Sequence, residues 1–590
     1  MRFASSGPSR PRSSTWTRKA PVAERATAVS RLAAITPALA ALVAAASLLL
    51  HGCGDGSDGD NAQRDDPQSP AASAAGADPA PAYGDAIVFG TIGDGSTLIP
   101  MLASDSSSHE YASHLFDGLL EYDKTLSHLE PRLARSWEVS PDGLQITFHL
   151  RRDVHWTDGV AFTARDVQFA FDTIRDPKTM TAYAEDYKQV QRFELLGDYD
   201  FRVTYEKPFA PALASWNSMM VLPRHLLEGK DINETDFSQH PVGLGSHVFE
   251  SWERNTRFTL RANPEYYRGR PHIEQVVYRV IPDESTQFLE LKSGGLDMMG
   301  LTPLQFRRQT SSQTFDRGFR KYRYVSNSYT YMGYNLDNPL FQDVRVRRAF
   351  THAINKQEIV DVVLFGLGRA AEGPYRPGTT WLNKNLRPYG FDPAKAKALL
   401  AEAGWRDSDG DGILDKDGQP FSFKILTNQG NDQRLKTATV IQKRLRDIGV
   451  DVAVRVVEWS AFINDFIDKR RFDVIVLGWS LSLDPDQYDI WHSSKTGYKQ
   501  FNFVGFKNAE VDELLEKGRR TFDEDERRRI YDRVQEILVE QQPYTFLYVP
   551  DSLPIVASRF HGIEEAPAGI SWNFPQWYVP TALQKYTIAP

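Results

Sequence analysis

The feature that most constrains the fold is an alternation of helix and strand patterns in the second half of the chain. The alternating segments are helices over residues 393–404, 433–447 and 461–468 and strands over residues 450–457 and 472–477. Asp392-Pro393 marks the start of the first helix, because a capping acid followed by proline is typical of a helix N-terminus. Helices that alternate with β-rich runs at this spacing predict an α/β lobe with parallel strands.

The rest of the chain adds strands before this lobe and long helices near its end. Predicted strands in the first half cover residues 86–90, 145–150, 201–205, 258–262 and 275–281. Thr163 opens a helix in this half, since Thr163-Ala164-Arg165-Asp166 has the pattern of a capping box. Helices over residues 510–521 and 525–541 precede a return strand over residues 545–549. A chain of 590 residues is long enough for two lobes with separate cores.

The first 52 residues have the pattern of a secretory signal. Basic residues dominate the start, an apolar run covers residues 32–50, and the sole cysteine, Cys53, follows. Leu50-His51-Gly52-Cys53 resembles a bacterial lipobox, which predicts that Cys53 is lipidated and becomes the mature N-terminus. An uncleaved membrane anchor is the alternative, because the apolar run could just span a bilayer. Both interpretations put residues 54–590 outside the cytoplasmic membrane.

Composition and charge exclude several classes of protein. Residues 53–83 consist mainly of Gly, Asp, Ser, Ala and Pro and predict a flexible acidic linker. A single cysteine excludes an intrachain disulfide framework and a zinc site built from several cysteines. The net charge of −8 argues against a nucleic-acid-binding protein, which would carry a basic domain.

Signals of catalysis are weak throughout the sequence. His109 and His114 lie five residues apart, whereas zinc chelation from one helical face needs i and i+4 spacing. The chain has no Gly-x-Ser-x-Gly elbow and no phosphate-binding loop. A pair of glycosidase-like carboxylates cannot be recognised from sequence and stays an open alternative. We expect no enzyme activity and no cofactor.

An acidic turn resembles part of a calcium-binding loop. Asp407, Asp409, Asp411 and Asp415 occupy positions 1, 3, 5 and 9 of such a loop. Gly418 stands at position 12, where the loop needs a bidentate acid. We therefore interpret the segment as a polar turn before a strand over residues 421–426, with calcium binding as the alternative.

Two tryptophans follow predicted strands of the α/β lobe. The strand over residues 472–477 is followed by Gly478-Trp479, and Trp459 stands in the same relation to the preceding strand. Ligands of α/β sheets bind at the carboxyl ends of strands, where a glycine permits close approach and an indole supplies a flat apolar wall. The pattern predicts a ligand site there, although both tryptophans could instead be ordinary core residues.

Six motifs occur in a characteristic order and cover nearly all of residues 84–590. They are Phe116-Asp117-Gly118-Leu119-Leu120 and the segments 129–137, 150–159, 263–267, 343–350 and 401–405. Together they resemble family 5 extracellular solute-binding proteins, the dipeptide, oligopeptide and nickel class that supplies ABC importers. The resemblance implies an α/β fold with two lobes, like that of periplasmic binding proteins of class II. Within that class it implies the cluster of large proteins, which have an extra subdomain. It also implies central mixed sheets and a hinge about which the lobes close on a ligand.

The same resemblance implies a division of the chain into domains. The expected segments are a lipoprotein signal peptide (1–52), a flexible acidic linker (53–83), an N-terminal lobe (84–105, 240–325 and 546–590), an extra subdomain of that lobe (106–239) and a C-terminal lobe (326–545).

The resemblance further implies where a peptide would bind. In peptide-binding relatives, a Trp like Trp459 and a Gly-Trp pair like Gly478-Trp479 line the pocket, and an Asp three residues after the second Trp pairs with the peptide's α-amine. Ser482 stands at that position here and cannot supply the charge-assisted hydrogen bond. Asp484 or Asp486 could substitute from the same loop.

Further candidate ligand-binding residues come from three other places. Ser480 lies beside the Gly-Trp pair. Asn327 and Tyr329 fall in a segment, 324–334, that resembles the strand from which family members offer backbone hydrogen bonds to extended ligands. Ser96 and Thr97 lie in a loop that resembles the family's Leu-Asn-Pro turn.

These residues predict a receptor that captures an oligopeptide and delivers it to the permease of an ABC importer. An oligosaccharide or other small polar ligand is the alternative within the family, since tryptophans also stack on sugar rings. A surface hydrolase or an adhesin on the same scaffold is the alternative from another class. We expect a monomer, held by a lipid anchor at the periplasmic or cell-surface face of the cytoplasmic membrane.

Overall fold

The computed structural model of the protein describes residues 80–588. The predicted signal peptide, Cys53 and all but the last four residues of the predicted linker lie outside the described residues. Within residues 80–588, none of the helices combines the length and the apolar character needed to cross a bilayer. The described chain has a mixed α/β architecture, as predicted.

The strands form two large mixed sheets and three small antiparallel ones within the described chain. In chain order they are β1 (Gly84–Thr91), β2 (Leu120–Tyr122), β3 (Leu129–Pro131), β4 (Ala134–Val139), β5 (Gln145–Leu150), β6 (Val190–Leu195), β7 (Asp200–Tyr205), β8 (His247–Glu253), β9 (Arg257–Ala262), β10 (Ile273–Val280), β11 (Met298–Gly300), β12 (Phe319–Lys321), β13 (Tyr324–Val325), β14 (Ser328–Tyr334), β15 (Gly368–Ala370), β16 (Asp415–Lys416), β17 (Gln419–Pro420), β18 (Ser422–Asn428), β19 (Asp451–Val457), β20 (Val474–Ser480), β21 (Tyr544–Ser552) and β22 (Pro554–Ala557).

The helices surround these sheets. In chain order they are α1 (Ser106–Leu115), α2 (Ala164–Arg175), α3 (Ala184–Lys188), α4 (Ala212–Ser218), α5 (Arg224–Leu227), α6 (Glu284–Ser293), α7 (Gln313–Gly318), α8 (Val344–Ala353), α9 (Lys356–Val362), α10 (Pro393–Glu402), α11 (Asp432–Arg446), α12 (Trp459–Ala461), α13 (Tyr488–Trp491), α14 (Ala509–Arg520) and α15 (Glu524–Gln541). A π-helical turn (Phe462–Ile467) continues α12.

The first large sheet is built around β1. Its strand order is β12-β22-β11-β1-β10-β9-β8, and β1 pairs in parallel with β10 and β11 while the other pairs are antiparallel. A separate antiparallel sheet, β4-β5-β7-β6, lies in the segment predicted as the extra subdomain. Alternate residues of β5 and β7 point to its core, where the rings of Phe148 and Phe201 stack 5.0 Å apart.

The second large sheet has the order β13-β21-β14-β20-β18-β19, with β15 paired to β21. β18 is parallel to β19 and to β20, but β14 runs antiparallel to both β20 and β21. The prediction of parallel strands therefore holds for three strands, and the sheet as a whole is mixed.

Two details of the predicted organisation are wrong. β20 continues to Ser480, so Gly478 and Trp479 lie inside the strand rather than after it, because their backbone stays paired with Thr330 and Tyr329 of β14. Residues 546–552 belong to the second sheet rather than to the N-terminal lobe, because β21 pairs with β14 over Tyr544–Tyr548.

Two neighbouring segments connect the large sheets. β12 pairs with β22 in the first sheet, and β13 pairs with β21 in the second. Between these pairs, the amide of Tyr322 donates to the carbonyl of Pro554 at 2.9 Å, and after β13 the amide of Ser326 donates to the carbonyl of Pro550 at 3.2 Å. Residues 319–326 and 550–557 thus form a two-stranded antiparallel ribbon, which we call the connecting ribbon.

Three of the sequence motifs meet at one buried acid, Asp117. The hydroxyls of Tyr266 and Tyr267 donate to its Oδ2 at 3.0 and 2.8 Å, and Arg132 forms an ion pair with its Oδ1. A buried carboxylate is stable when several donors satisfy it. These motif residues therefore hold the fold together away from any ligand.

Another motif residue, Arg347, terminates the longest helix. Its guanidinium donates to the carbonyls of Gln541 and Gln542 at 3.0 and 3.1 Å from Nε, and to that of Gln342 at 3.0 Å from Nη1. Gln542 ends α15 in the left-handed conformation, at φ 48°. Arg347 thus satisfies carbonyls that the helix leaves without internal donors.

We expect Arg347→Met to lower the free energy of unfolding by about 2–4 kcal/mol, because buried carbonyls lose their donors. Arg348→Met is the matched control, since Arg348 donates to the carbonyl of Glu540 in an exposed hydrogen bond. We expect this substitution to lower the free energy of unfolding by less than about 1 kcal/mol. Chemical denaturation of both variants measures the difference. Equal losses would contradict the capping role.

Candidate functional site

A cavity of about 900 Å³ lies between the two large sheets. One wall consists of β14, β20 and the loop after β20, and the opposite wall includes the start of α1, α4 and the end of β11. Eight of the residues predicted from sequence line it: Tyr329, Trp459, Gly478, Trp479, Ser480, Ser482, Asp484 and Asp486. Its volume lies in the upper part of the range that ligand pockets occupy.

Trp479 is half-buried in the cavity wall. Its ring stacks on Phe503, with centroids 5.6 Å apart, and meets Phe501 edge-on at 5.4 Å. Its Nε1 donates to the hydroxyl of Tyr544 at 3.3 Å. Neighbouring rings and one hydrogen bond therefore fix the orientation of the indole while part of it stays exposed to the cavity.

Gly478 is required by the close approach of two groups. A Cβ at this position would lie 2.9 Å from the carbonyl oxygen of Tyr329 and 3.0 Å from Nη2 of Arg434. Both distances are shorter than ordinary van der Waals contacts. The glycine therefore lets β14 and the Arg434 guanidinium pack against the strand beside Trp479.

Trp459 begins α12 directly after β19. Glu458 caps this short helix by accepting from the amides of Ser460 and Ala461 at 3.0 and 2.9 Å. Gly93, in the loop after β1, approaches so closely that a Cβ there would lie 2.8 Å from the Cβ of Trp459. The Trp459 indole N–H is buried and has no acceptor among residues 80–588, while the residue itself lines the cavity.

The acids of the loop after β20 already have cationic partners. Asp484 forms a bidentate ion pair with Arg527, whose Nη2 donates to Oδ1 at 2.7 Å and whose Nη1 donates to Oδ2 at 2.8 Å. Asp486 accepts from Arg519 at 2.8 Å. Ser482 is exposed to the cavity. A ligand amine at Asp484 would therefore share the carboxylate with Arg527.

Buried ion pairs join the two sides of the cavity. Arg519 of α14 contacts Asp186 of α3 at 2.6 Å as well as Asp486. Lys495 likewise contacts Glu185 of α3 at 2.9 Å and Asp489 at 3.2 Å. Burial raises the pKa of Asp186, and Arg519 opposes that shift.

Asn327, Ser96 and Thr97 do not line the cavity, and Tyr329 lines it although its side chain is buried. The side chain of Tyr329 is fully buried, and its backbone pairs with Trp479. Asn327 donates through Nδ2 to the carbonyl of Leu481 at 2.7 Å, which fixes the end of β20. The hydroxyl of Ser96 donates to Asp105 at 2.7 Å, and the amide of Thr97 donates to Ser108.

Sequence reasoning missed most charged groups of the cavity wall. They are Asp105, Asp186, Glu284, Arg434, Asp468, Asp489, Lys499 and Asp551. Glu284, at the start of α6, accepts from the amide of Asp432, at the start of α11, at 3.1 Å, and burial raises the pKa of Glu284 to about 7. No motif marks these residues, because they come from distant segments that only folding brings together.

The acidic turn predicted as a possible calcium loop forms a polar turn in the structure. Asp407, Asp409 and Asp411 are exposed, with ligand oxygens within 4.8 Å of one another. Asp415 instead accepts from the hydroxyl of Ser408 at 2.7 Å. Asp407 accepts from the amides of Gly410 and Gly412, as a polar turn requires, and calcium binding stays a prediction.

The two histidines of α1 face different partners. His109 lines the cavity and its Nε2 contacts the hydroxyl of Tyr183 at 3.0 Å. His114 contacts the hydroxyl of Tyr278 at 2.8 Å. Burial lowers the pKa of both imidazoles, which favours their neutral forms at neutral pH.

Comparison with known proteins shows what this arrangement resembles. Residues 128–501 match the family described as bacterial extracellular solute-binding proteins, family 5 Middle. The oligopeptide-binding protein AppA of Bacillus subtilis (strain 168) is 33% identical over 513 residues, which cover 85% of this chain and 92% of AppA.

Solved structures share the whole two-lobed fold. AppA from Bacillus subtilis in complex with a nonapeptide has a TM-score of 0.80 at 32% identity and covers 85% of this chain and 100% of its own. NikZ from Campylobacter jejuni in complex with Ni(L-His) has a TM-score of 0.77 at 28% identity, covering 84% and 99%. DppA from Helicobacter pylori in complex with peptide STSA has a TM-score of 0.75 at 29% identity, covering 85% and 99%.

We expect Gly478→Ala to destabilise the protein by about 1–3 kcal/mol, because the added methyl group forces β14 or Arg434 away. Gly300→Ala is the control: Gly300 also lines the cavity, but a Cβ there would meet no atom within 4 Å. Its effect should stay within about 0.5 kcal/mol. Thermal or chemical unfolding compares the two variants, and a larger loss for Gly300→Ala would contradict the packing argument.

Proposed function

The chain belongs to the bacterial extracellular solute-binding proteins of family 5, and on that premise we propose that it captures oligopeptides in the cavity between its lobes. Proteins of this family are transport receptors rather than enzymes. We propose further that closure of the lobes encloses the peptide and that the complex delivers it to the permease of an ABC importer.

The cavity is the observation that carries this proposal. It is about 900 Å³ in volume and is lined by aromatic rings, strand backbone and charged groups from both lobes. That size leaves room for several residues of an extended peptide, and its mixture of walls suits a ligand with amide and apolar groups. The structure of AppA, which covers 85% of this chain, contains a nonapeptide.

We assign the peptide contacts to residues on the β20 side of the cavity. Trp459 and Trp479 supply apolar walls. Ser480 and Ser482 supply hydroxyls that can donate or accept. The division into lobes follows the predicted boundaries, with residues 546–552 moved to the second lobe, and the receptor acts as a monomer.

Ligand titration tests the proposal directly. Peptides of two to nine residues, and cello- and xylo-oligosaccharides as the alternative ligands, are added to the purified receptor, and the unfolding temperature and calorimetric Kd are measured. A ligand at about 100 times its Kd stabilises the folded protein by about 2.7 kcal/mol. Stabilisation by sugars and not by peptides would favour the oligosaccharide function.

We expect Trp479→Ala to weaken peptide binding by more than about 2 kcal/mol, because a fixed, partly exposed indole is a typical anchor. The measurement is the calorimetric Kd of a peptide found in the titration. Trp572→Ala is the matched control, since Trp572 is 39% exposed and does not line the cavity. A large loss of stability with unchanged affinity would instead make Trp479 a core residue, whose removal costs about 3–5 kcal/mol.

We propose that Cys53 carries the lipid anchor. Cys53→Ser should release the receptor from membranes or block removal of the signal, because the cysteine sulfur is the acylated atom. Fractionation of expressing cells, with mass spectrometry of the mature N-terminus, measures both effects. A variant that is processed and membrane-bound like the wild type would contradict the lipoprotein assignment and support an uncleaved anchor.

A further inference from the structure

Asp468 stands apart from the other acids of the cavity. It follows the π-helical turn after Trp459, lines the cavity and is 8% exposed. Within residues 80–588, its carboxylate has neither a hydrogen-bond donor within reach nor a cation within 4.0 Å; its backbone amide alone is bonded, to Ile463 at 2.9 Å. A carboxylate so placed has lost most of its water without gaining a partner.

The other acidic side chains that line the cavity all have partners in the described chain. Asp186 and Asp486 share Arg519, Asp484 pairs with Arg527, Asp489 with Lys495 and Asp551 with Arg323. Asp105 accepts from Ser96 and Ser108, and Glu284 from the amide of Asp432. Among the acids of the cavity wall, Asp468 is therefore the one whose carboxylate has neither an ion pair nor a hydrogen-bond donor within residues 80–588.

Burial and neighbouring charges both act on the Asp468 carboxyl group. Burial raises the pKa of Asp468 to about 6, and Asp105 adds to the shift. Lys499 and Lys469 act in the opposite direction from beyond ion-pair distance. An ammonium or guanidinium beside the carboxylate would favour its charged form, because opposite charges attract strongly in a site with little water.

From these observations we propose that Asp468 binds a cationic group of the ligand, either the α-amine of a peptide or the side chain of a Lys or Arg residue. The inference rests on the proposed function and adds the charge preference of the same cavity. It gives Asp468 the role that Ser482 cannot fill. Rings of the same cavity, those of Trp479, Phe501 and Phe503, suit a cation as well, because aromatic faces attract positive charge.

Three sets of nine-residue peptides with otherwise neutral composition test the proposal. The first set has free N-termini and no Lys or Arg, the second has acetylated N-termini and one Lys or Arg, and the third has acetylated N-termini and no cation. Each set is equilibrated with the receptor, and retained peptides are identified by mass spectrometry and their Kd values measured by calorimetry. The first two sets distinguish the α-amine from a side-chain cation.

The decisive variant is Asp468→Asn, which keeps the shape and removes the charge. Asp465→Asn is the matched control, because Asp465 is exposed on the same helical segment and pairs with Lys469 at 2.6 Å. We expect the wild type and Asp465→Asn to prefer one cationic set over the third by at least tenfold in Kd. We expect Asp468→Asn to lose that preference while binding the third set as the wild type does.

Each outcome decides the inference. A preference that survives Asp468→Asn, or a wild type without preference, overturns the assignment of Asp468 and leaves peptide capture intact. A wild type that binds none of the three sets refutes peptide capture, and the inference falls with it. Far-ultraviolet circular dichroism and the unfolding temperature check that the variant folds, and Asp468→Ser replaces it if it does not.

Discussion

The contact between the two sides of the cavity depends on a buried arginine. The side chain of Arg519 is 6% exposed. Its guanidinium lies between Asp186 of α3 and Asp486 of the loop after β20, on the other side of the cavity. A desolvated charge is stable only with partners in good geometry, so these acids define how the two sides meet. Lys495 repeats the arrangement with Glu185 and Asp489. Paired charges thus join the two sides of the cavity.

Local signals predicted much of the fold. β5 begins and ends where its alternation and flanking turn place it, at Gln145 and Leu150. The capping box of Thr163 and Asp166 is present at the start of α2, and Asp392 caps α10 as its position before Pro393 indicates. Such signals depend on residues three or four positions apart, which is why the sequence alone reveals them. The order of strands in a sheet depends on partners far away in the chain. The extension of β20 through Gly478 is an example, since Thr330 of β14 holds it there.

At the cavity, too, features that depend on neighbouring residues could be predicted, and contacts between residues far apart in the chain could not. The positions of Trp459 and Trp479 in the cavity wall could be predicted, because each stands at the carboxyl end of an apolar run in the sequence. The pairing of Asp484 with Arg527, 43 residues away, could not be predicted, because two charged residues in sequence give no sign that they meet. Asp468 was missed for the opposite reason: its distinguishing property is the lack of a partner, which is a property of its surroundings. The motifs that identify the family gave no help either, since Asp117 and Arg347 act in the fold and not at the cavity.

The connecting ribbon has a mechanical consequence. Each lobe is tied to the other by two crossings that run side by side, roughly 5 Å apart as paired strands are. Two paired strands permit the lobes to bend toward each other at the ribbon. They resist a twist of one lobe relative to the other about the direction of the strands. They also provide redundancy, because a protease that cuts one crossing leaves the second crossing covalently intact. A nicked molecule would therefore keep its lobes together and in register, whereas a receptor with a single linker would fall into two halves.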